Sequence, residues 1–275
     1  MEIVTIFVDN KGNMTLDIRH EEMTLYHQPL REGGSLPGLV EASDGFRYVA
    51  KFRGAGHGTK ALIAEFIGSE IARGAGFRVP ELVFLDLGVD FGRTEGDEEI
   101  QDLLRGSEGL NLGVHFLSKA LTWDVLANHT DALTASKLVW LDAFLTNIDR
   151  TARNTNMLLW NRELWLIDQG ASLYFHHSWN GWEKAVLSPF PYVRDHAMLA
   201  DASRLEEADT QMRALITPEV IDAVVDAVPE DWLVASGTQA TPAEQREVYR
   251  EFLKTRLSNS QIFLRHAIAT REKLV

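Results

Sequence analysis

Strand-like and helix-like segments occupy different parts of this 275-residue chain. Up to about residue 115, short apolar runs such as 46–52 alternate with glycine-rich turns, a pattern typical of β-strands. Farther along, apolar runs at helical spacing prevail, with Thr-Pro helix starts at 217–218 and 241–242. Strands that precede helices, without alternating with them, favour an α+β fold. We therefore expect two lobes, a strand-rich N-lobe at 1–112 and a helix-rich C-lobe at 113–275.

Individual elements also follow from the pattern of apolar residues. Between 59 and 73 these residues recur every three or four positions, which predicts a helix with one buried face. Residues 136–146 predict a second, largely apolar helix, and a short β-hairpin is predicted at 157–160 and 164–167. The acidic stretch 88–109 is expected to be exposed, with a solvated loop at 95–102.

Composition excludes several classes of protein. The chain has no Cys, which excludes disulfide scaffolds, cysteine nucleophiles and thiolate metal sites, and no apolar run of about 18 residues that could span a membrane. Its 27 Lys and Arg against 40 Asp and Glu give a net charge of −13, which disfavours nucleic acids and anionic membranes as partners. The N-terminus lacks the features of a signal peptide. We expect a soluble, cytoplasmic protein.

The segment from 147 to 170 has the spacing of a phosphoryl-transfer site. Asp149 precedes Asn154 by five residues, and Asp168 follows the predicted hairpin, just before a Gln-Gly pair. Transfer of a phosphoryl group to a hydroxyl needs a carboxylate near the nucleophile and oxygen ligands for Mg²⁺. Protein kinases supply an Asp, an Asn five residues later and a second Asp in the same order. The pattern D-x-x-x-x-N alone is common by chance. It is much rarer between a predicted apolar helix and a predicted strand pair that ends in D-x-G.

The first half of the chain contains candidates for phosphate binding. Lys51 ends a predicted strand, as does the lysine that binds nucleotide phosphates in kinases, and Glu65 on the next helix could hold it in an ion pair. Gly33, Gly34 and Ser35 form a loop whose backbone N–H groups could contact phosphate oxygens. No G-x-x-x-x-G-K-[ST] motif occurs, which argues against a P-loop fold.

Two segments of the chain resemble the HipA-like kinase family, bacterial relatives of the protein-kinase and phosphatidylinositol-kinase fold. The closer one is residues 141–177, LDAFLTNIDRTARNTNMLLWNRELWLIDQGASLYFHH, and the looser one is residues 30–56, LREGGSLPGLVEASDGFRYVAKFRGAG, with the helix after it. The resemblance implies a two-lobed, protein-kinase-like fold and ATP- and Mg²⁺-dependent transfer of the γ-phosphate to a hydroxyl. The acceptor could be a protein Ser or Thr or a small molecule.

The resemblance also implies roles for individual residues. Asp149 would be the catalytic base, and Asn154 and Asp168 would bind Mg²⁺. Apart from the resemblance, we expect Arg150 or Arg153 to neutralise developing charge or hold an anionic acceptor, unless it pairs with an acidic neighbour. The nucleotide-binding residues would be Gly33, Gly34, Ser35, Lys51, Glu65 and Leu117, with adenine against Ala50 or the stretch 111–117.

Some features depart from the protein-kinase pattern. No His precedes Asp149, and Gln169 stands where protein kinases place Phe, so their aromatic switch is absent. Asn156 competes with Asn154 as the metal ligand, because in some related kinases the Asn directly precedes the strand. HipA-like toxins carry added N-terminal material, so their biology does not transfer to this chain.

Two other functions remain open. A nucleotide-binding pseudokinase or scaffold would share the fold but commonly lacks one of the kinase residues, all of which are present here. A metal-dependent hydrolase would combine Asp149 and Asp168 with His176 or His177. Adjacent histidines on an extended segment point to opposite faces, which disfavours a shared metal ion.

Overall fold

The computed structural model describes residues 6–8, 14–30, 36–89, 91–94 and 96–274. The β-strands of this part are β1 (Ile6–Val8), β2 (Met14–Leu16), β3 (His20–Pro29), β4 (Gly38–Ala42), β5 (Arg47–Lys51), β6 (Leu82–Leu87), β7 (Gly109–His115), β8 (Leu121–Thr122), β9 (Met157–Trp160) and β10 (Glu163–Leu166). The α-helices are α1 (Thr59–Gly74), α2 (Glu98–Arg105), α3 (Ala132–Leu145), α4 (Trp182–Ala185), α5 (Leu205–Leu215), α6 (Pro218–Asp226), α7 (Glu230–Val234), α8 (Pro242–Ser258) and α9 (Gln261–Arg271). The fold is therefore a mixture of α and β, with the strand-rich region first, as predicted. The predicted loop of Gly33, Gly34 and Ser35 lies outside the described residues.

Strands β3 to β7 form a closed barrel in the order β3-β4-β5-β7-β6. Neighbours pair antiparallel, except that β3 and β6 pair parallel and close the barrel. Tyr48, Val40 and Val83 are fully buried in its apolar interior. Strand β7 continues to His115, so the predicted lobe boundary at residue 112 falls inside a barrel strand.

Helix α1 is buried on more than the one face that its sequence predicts. Residues 62–72 are all buried, because helices α6 and α7 pack against α1 in addition to the barrel strand β7. Trp232 of α7 contacts the rings of Phe66 and Phe84 edge-on, and its indole nitrogen donates a 2.8 Å hydrogen bond to the carbonyl of Leu110. Helix α7 therefore holds α1 against the barrel.

One predicted loop contains a helix. Residues 98–105 form α2, whose N-cap Asp97 accepts hydrogen bonds from the next-turn amides, and the acidic first turn suits the positive end of the helix dipole. Ile100 and Leu104 are buried against the barrel interior, while Glu98 and Glu99 are exposed as expected. The prediction of a loop here is wrong, because two apolar residues, Ile100 and Leu104, suffice to pack this two-turn helix against the barrel.

The predicted hairpin and the two predicted Thr-Pro helix starts are confirmed. The hairpin is β9 and β10, with Met157 opposite Leu166, and β8 adds a third strand to it. Thr217 and Thr241 cap α6 and α8, each followed by Pro. No helix within the described ranges is both long and apolar enough to cross a lipid bilayer.

Candidate active site

A cavity of about 1500 Å³ lies between the barrel with helix α1 and the segment 148–174. Strands β5 and β7 and helix α1 line one side of it, and the loop at residues 147–156 (the Asp149 loop) and the turn at 168–171 line the other. The predicted site residues that line it are Lys51, Glu65, Leu117, Asp149, Asn154 and Asp168. Residues from distant parts of the sequence are thus brought to one concave surface, the usual form of a ligand site.

Lys51 and Asp168, which both line the cavity, form an ion pair. Lys51 Nζ lies 2.9 Å from Asp168 Oδ1. Asp168 has a φ of 53°, a left-handed turn that Asp tolerates. The expected Lys51–Glu65 ion pair is not formed: Glu65 is buried beside both residues, but the ammonium contacts the carboxylate delivered by the turn.

The pKa values of these three groups depend on each other. Burial raises the pKa of Glu65 to about 7, with Lys51 opposing the rise and Asp168 adding to it. Burial also acts to raise the pKa of Asp168, but attraction to Lys51 outweighs it and the pKa is lowered. Burial acts to lower the pKa of Lys51, but the carboxylates of Asp168 and Glu65 raise it above its ordinary value. A charged Lys51–Asp168 pair therefore lies beside a carboxyl group that readily takes up a proton.

Close packing of α1 on the turn after Asp168 depends on Gly68. A Cβ at this position would lie 2.7 Å from the Cβ of Gln169, a fully buried residue that has no room to move. We expect Gly68→Ala to lower the melting temperature, although Ala is favoured over Gly inside a helix by about 1 kcal/mol. Gly88→Ala, where an added Cβ would meet no atom within 4 Å, is the control and should leave the melting temperature near that of the wild type. An unchanged or higher melting temperature for Gly68→Ala would contradict this packing.

The Asp149 loop holds its carboxylate between two amide side chains. Asn154 Nδ2 donates a 2.8 Å hydrogen bond and Asn156 Nδ2 a 3.2 Å hydrogen bond to the same oxygen, Oδ2 of Asp149. The backbone N–H of Asp149 donates to Asn147 Oδ1 at 3.1 Å. Asn154 and Asn156 thus each bind Asp149 through the side-chain nitrogen, and their side-chain oxygens remain free to bind another ligand.

Asn154 and Asn156 differ in how firmly they are held. Asn154 is exposed in the loop, whereas Asn156 is buried, directly precedes β9 and accepts a 3.0 Å hydrogen bond on its carbonyl from the N–H of Ile167. That bond ties Asn156 to the residue before Asp168. Asn156 also has a φ of 48°, a conformation that Asn tolerates better than most residues.

A buried ion pair between Arg150 of the Asp149 loop and Asp142 of α3 holds the loop in place. The carboxylate of Asp142 on α3 lies 2.6 Å from Nε of Arg150 and 2.9 Å from Nε2 of His196, and all three side chains are almost fully buried. Asp142 also accepts a 3.3 Å hydrogen bond from the side-chain nitrogen of Asn147. The side-chain oxygen Oδ1 of Asn147 accepts the hydrogen bond from the backbone N–H of Asp149. Burial acts to raise the pKa of Asp142, but Arg150 and His196 lower it below its ordinary value.

Arg150 does not lie where it could neutralise charge on a substrate in the cavity. Its guanidinium donates to Asp142 and to the carbonyls of Thr155 and Asn156, and it does not line the cavity. The alternative pairing with an acidic neighbour is the arrangement found. Arg153 is instead exposed and lines the cavity beside Asp149.

Two further expectations differ from the structure. Ala50 is fully buried in the barrel interior, because side chains alternate along β5 and it is Val49 and Lys51 that line the cavity. His176 and His177 lie in a 3₁₀-helix, Tyr174–Gly181, and not in an extended segment. Within the described residues no group of three or more His, Asp or Glu side chains could hold a metal ion.

Asp142, Asn147 and His196 are the supporting residues that the sequence did not single out. One signal was available: Asp142 is the only acidic residue in the apolar run 136–146. A charge buried among apolar residues needs a partner. The partners of Asp142 are Arg150 and His196, 8 and 54 residues away along the chain, and no local pattern in the sequence identifies them.

Two comparisons with known proteins bear on the family and the fold of the chain. A family model described as HipA-like kinase matches residues 25–262. Among solved structures, the crystal structure of a Helicobacter pylori proinflammatory kinase, CtkA, has a similar fold, with a TM-score of 0.55 and 13% sequence identity. The similarity covers 95% of this chain and 99% of that one. No curated protein sequence matches the chain.

Proposed function

Because the chain belongs to the HipA-like kinase family, we propose that it is an ATP- and Mg²⁺-dependent kinase that transfers the γ-phosphate to a hydroxyl acceptor. The observation that carries the proposal is the presence of Lys51, Asp149 and Asp168 in one cavity, with Lys51 and Asp168 in contact. We include in the proposal a two-lobed arrangement, with the nucleotide between the barrel and the helical region. A protein Ser or Thr and a small molecule both remain possible acceptors.

Lys51 is the group that would receive the nucleotide phosphates. It keeps its positive charge in the cavity because the carboxylates of Asp168 and Glu65 raise its pKa. The chain has a net charge of −13, and its first 112 residues are themselves acidic, so no general field attracts an anion. Attraction must therefore be local, from Lys51, from backbone N–H groups and from the metal ion.

The oxygen groups opposite Lys51 suit Mg²⁺. Asp168 offers a carboxylate, and Asn154 and Asn156 offer amide oxygens that no hydrogen bond to Asp149 occupies. Mg²⁺ prefers such oxygen ligands and usually binds through one or two protein groups together with substrate phosphates. When bound, the ion would neutralise charge on the phosphates. A preformed cluster of three carboxylates or histidines is not required for this.

Asp149 would accept the proton of the acceptor hydroxyl. Two amide donors and a backbone hydrogen bond fix its position, so it needs little reorganisation when the acceptor arrives. The buried Asp142–Arg150 pair holds the loop that carries it. Arg150 is accordingly a positioning residue in this proposal, and Arg153 is the arginine that can reach the reacting groups.

Nucleotide binding is tested by thermal unfolding. With Mg²⁺-ATP at about 100 times its dissociation constant we expect a stabilisation of about 2.7 kcal/mol, seen as a rise of several degrees in melting temperature. ATP without Mg²⁺, and Mg²⁺-ATP with the Lys51→Met variant, should give a much smaller rise. A metal-dependent hydrolase would show no rise with Mg²⁺-ATP, and that result would contradict the proposal.

The choice between Asn154 and Asn156 as metal ligand is also testable. Asn156 is buried and tied to the residue before Asp168, so we expect Asn156→Ala to raise the Mg²⁺ concentration for half-maximal activity more than Asn154→Ala does. The exposed Asn154 should mainly affect turnover, because it orients Asp149. A larger Mg²⁺ effect for Asn154→Ala would instead support the ligand predicted from the five-residue spacing.

A further inference from the structure

The loop at residues 52–58 joins strand β5 to helix α1 and forms part of the cavity wall. Phe52 and His57 of this loop line the cavity, and Lys51 directly precedes it. Glu65, which is buried beside Lys51, lies farther along α1. The position of the 52–58 loop therefore affects where both charged groups lie relative to a nucleotide in the cavity.

The barrel holds the first residues of this loop. The backbone N–H of Arg53 donates a 2.8 Å hydrogen bond to Oδ1 of Asn111 on β7, and the backbone N–H of Gly54 donates a 3.2 Å hydrogen bond to Oγ of Ser107. A Cβ on Gly54 would lie 2.5 Å from the carbonyl oxygen of Gly106, so this close approach of two backbones requires glycine. The start of the loop is thus fixed to the turn between α2 and β7.

Helix α7 holds the loop near both of its ends. The guanidinium of Arg53 forms an ion pair with Asp231. Oγ1 of Thr59, the first residue of α1, donates a 2.8 Å hydrogen bond to the carbonyl of Trp232. Trp232 is fully buried, and its indole nitrogen donates a 2.8 Å hydrogen bond to the carbonyl of Leu110 on β7. We call these three polar interactions the α7 contacts.

The α7 contacts act on the cavity wall without lying in the cavity. No residue of α7, a helix that the structure describes in full, lines the cavity. A ligand in the cavity therefore depends on α7 only through the 52–58 loop and α1. When a wall segment occupies its binding position for only part of the time, the apparent dissociation constant rises as that fraction falls. Contacts that fix the segment in advance strengthen binding.

We propose that helix α7 sets the affinity for the nucleotide, because the α7 contacts hold the 52–58 loop, and with it Lys51, in the position that binds phosphate. Arg53, Thr59, Asp231 and Trp232 are thus positioning residues, which act through Lys51 and the cavity wall. This inference rests on the proposed function, since it concerns the same nucleotide. It assigns a part in nucleotide binding to an Asp that lies 178 residues beyond Arg53 in the chain.

The reacting carboxylate has a separate support. Asp149 is held by hydrogen bonds from Asn154 and Asn156 and by the buried Asp142–Arg150 pair, which are not among the α7 contacts. Loosening the 52–58 loop should therefore raise the dissociation constant of the nucleotide and the KM for ATP, and leave kcat near its wild-type value. Partial unfolding would do the reverse, because it lowers the number of active molecules and not the affinity of those that remain folded.

The test uses the full chain. Calorimetry gives the dissociation constant of a non-hydrolysable ATP analogue with Mg²⁺, and release of γ-phosphate gives kcat and KM. Asp231→Arg, at a half-exposed position, places a second positive charge beside Arg53, and we expect the dissociation constant to rise about fivefold, the upper range for a partly exposed ion pair. Thr59→Val keeps the shape of the side chain but removes the donor to Trp232, with an expected rise of about fivefold, the usual effect of one hydrogen bond.

Two further variants make the test specific. Arg53→Asp combined with Asp231→Arg restores an ion pair of reversed polarity and should bind the analogue nearly as tightly as the wild type. Asp226→Asn is the matched control, because it removes the carboxylate of another exposed pair, with Arg250, from the neighbouring helix α6. It should leave the dissociation constant and KM unchanged.

The outcomes separate this inference from the proposed function. A wild type that binds the analogue, with Asp231→Arg and Thr59→Val binding equally well, overturns the inference alone. A loss of kcat at constant KM in these variants also overturns it, and so does a charge-reversed pair that binds no better than Asp231→Arg. A wild type that binds no analogue contradicts the proposed function, and the inference then fails with it.

Discussion

Asp142→Ala is expected to destabilise the protein by about 3–5 kcal/mol, the usual cost of removing one partner of a buried ion pair. Arg150 would keep its charge with no access to water, since both side chains of the pair are fully buried. His196 and Asn147 would lose the same acceptor. The Asp149 loop would then lose its support, so activity should fall together with stability.

The measurement is chemical denaturation of the variants at neutral pH. Asp102→Asn, which removes a carboxylate from an exposed pair on α2, is the matched control and should unfold within error of the wild type. The double variant Asp142→Leu with Arg150→Met should be more stable than Asp142→Ala, because it leaves no unpaired charge in the interior. A change below about 1 kcal/mol for Asp142→Ala would contradict the role assigned to this pair, since that is the range of exposed pairs.

The sequence predicts those elements correctly whose structure depends on contacts between residues close together in the chain. The hairpin at β9 and β10 and the capped helices α6 and α8 follow from side chains within a few residues of each other. The order of Asp149, the Asn residues and Asp168 is also local, and the structure places all of them at one cavity. Helix α2 was not predicted, because its acidic first turn is typical of a solvated segment. Only the barrel shows that Ile100 is buried, and the barrel cannot be inferred from this stretch of sequence.

Contacts between distant parts of the chain could not be predicted. Arg53 pairs with Asp231, 178 residues away, and Trp232 packs on Phe66 from a helix that the sequence places in the other half. The pairing of Lys51 with Asp168 in place of Glu65 depends on a left-handed turn at Asp168. Such contacts follow from how the elements assemble, which no short pattern records.

Asp149→Asn is expected to lower the rate of phosphoryl transfer by about 10²–10⁴-fold, the usual contribution of a general base. Asn has the same shape, and its carbonyl oxygen can still accept the hydrogen bonds from Asn154 and Asn156, so the loop should keep its conformation. Lys51 contacts Asp168 and not Asp149, so the affinity for Mg²⁺-ATP should stay near that of the wild type. The expected result is therefore a loss of turnover without a loss of nucleotide binding.

Release and transfer of the labelled γ-phosphate of ATP measure the proposed activity directly, because slow transfer to water reports it even without the acceptor. Wild-type protein should turn over ATP only when Mg²⁺ is present, and both Asp149→Asn and Asp168→Asn should abolish that turnover. Asp102→Asn, on the exposed side of α2, should retain it. Equal turnover in the wild type and in both active-site variants, or none in a wild type that binds Mg²⁺-ATP, would contradict the assignment of Asp149 and Asp168 to a kinase reaction.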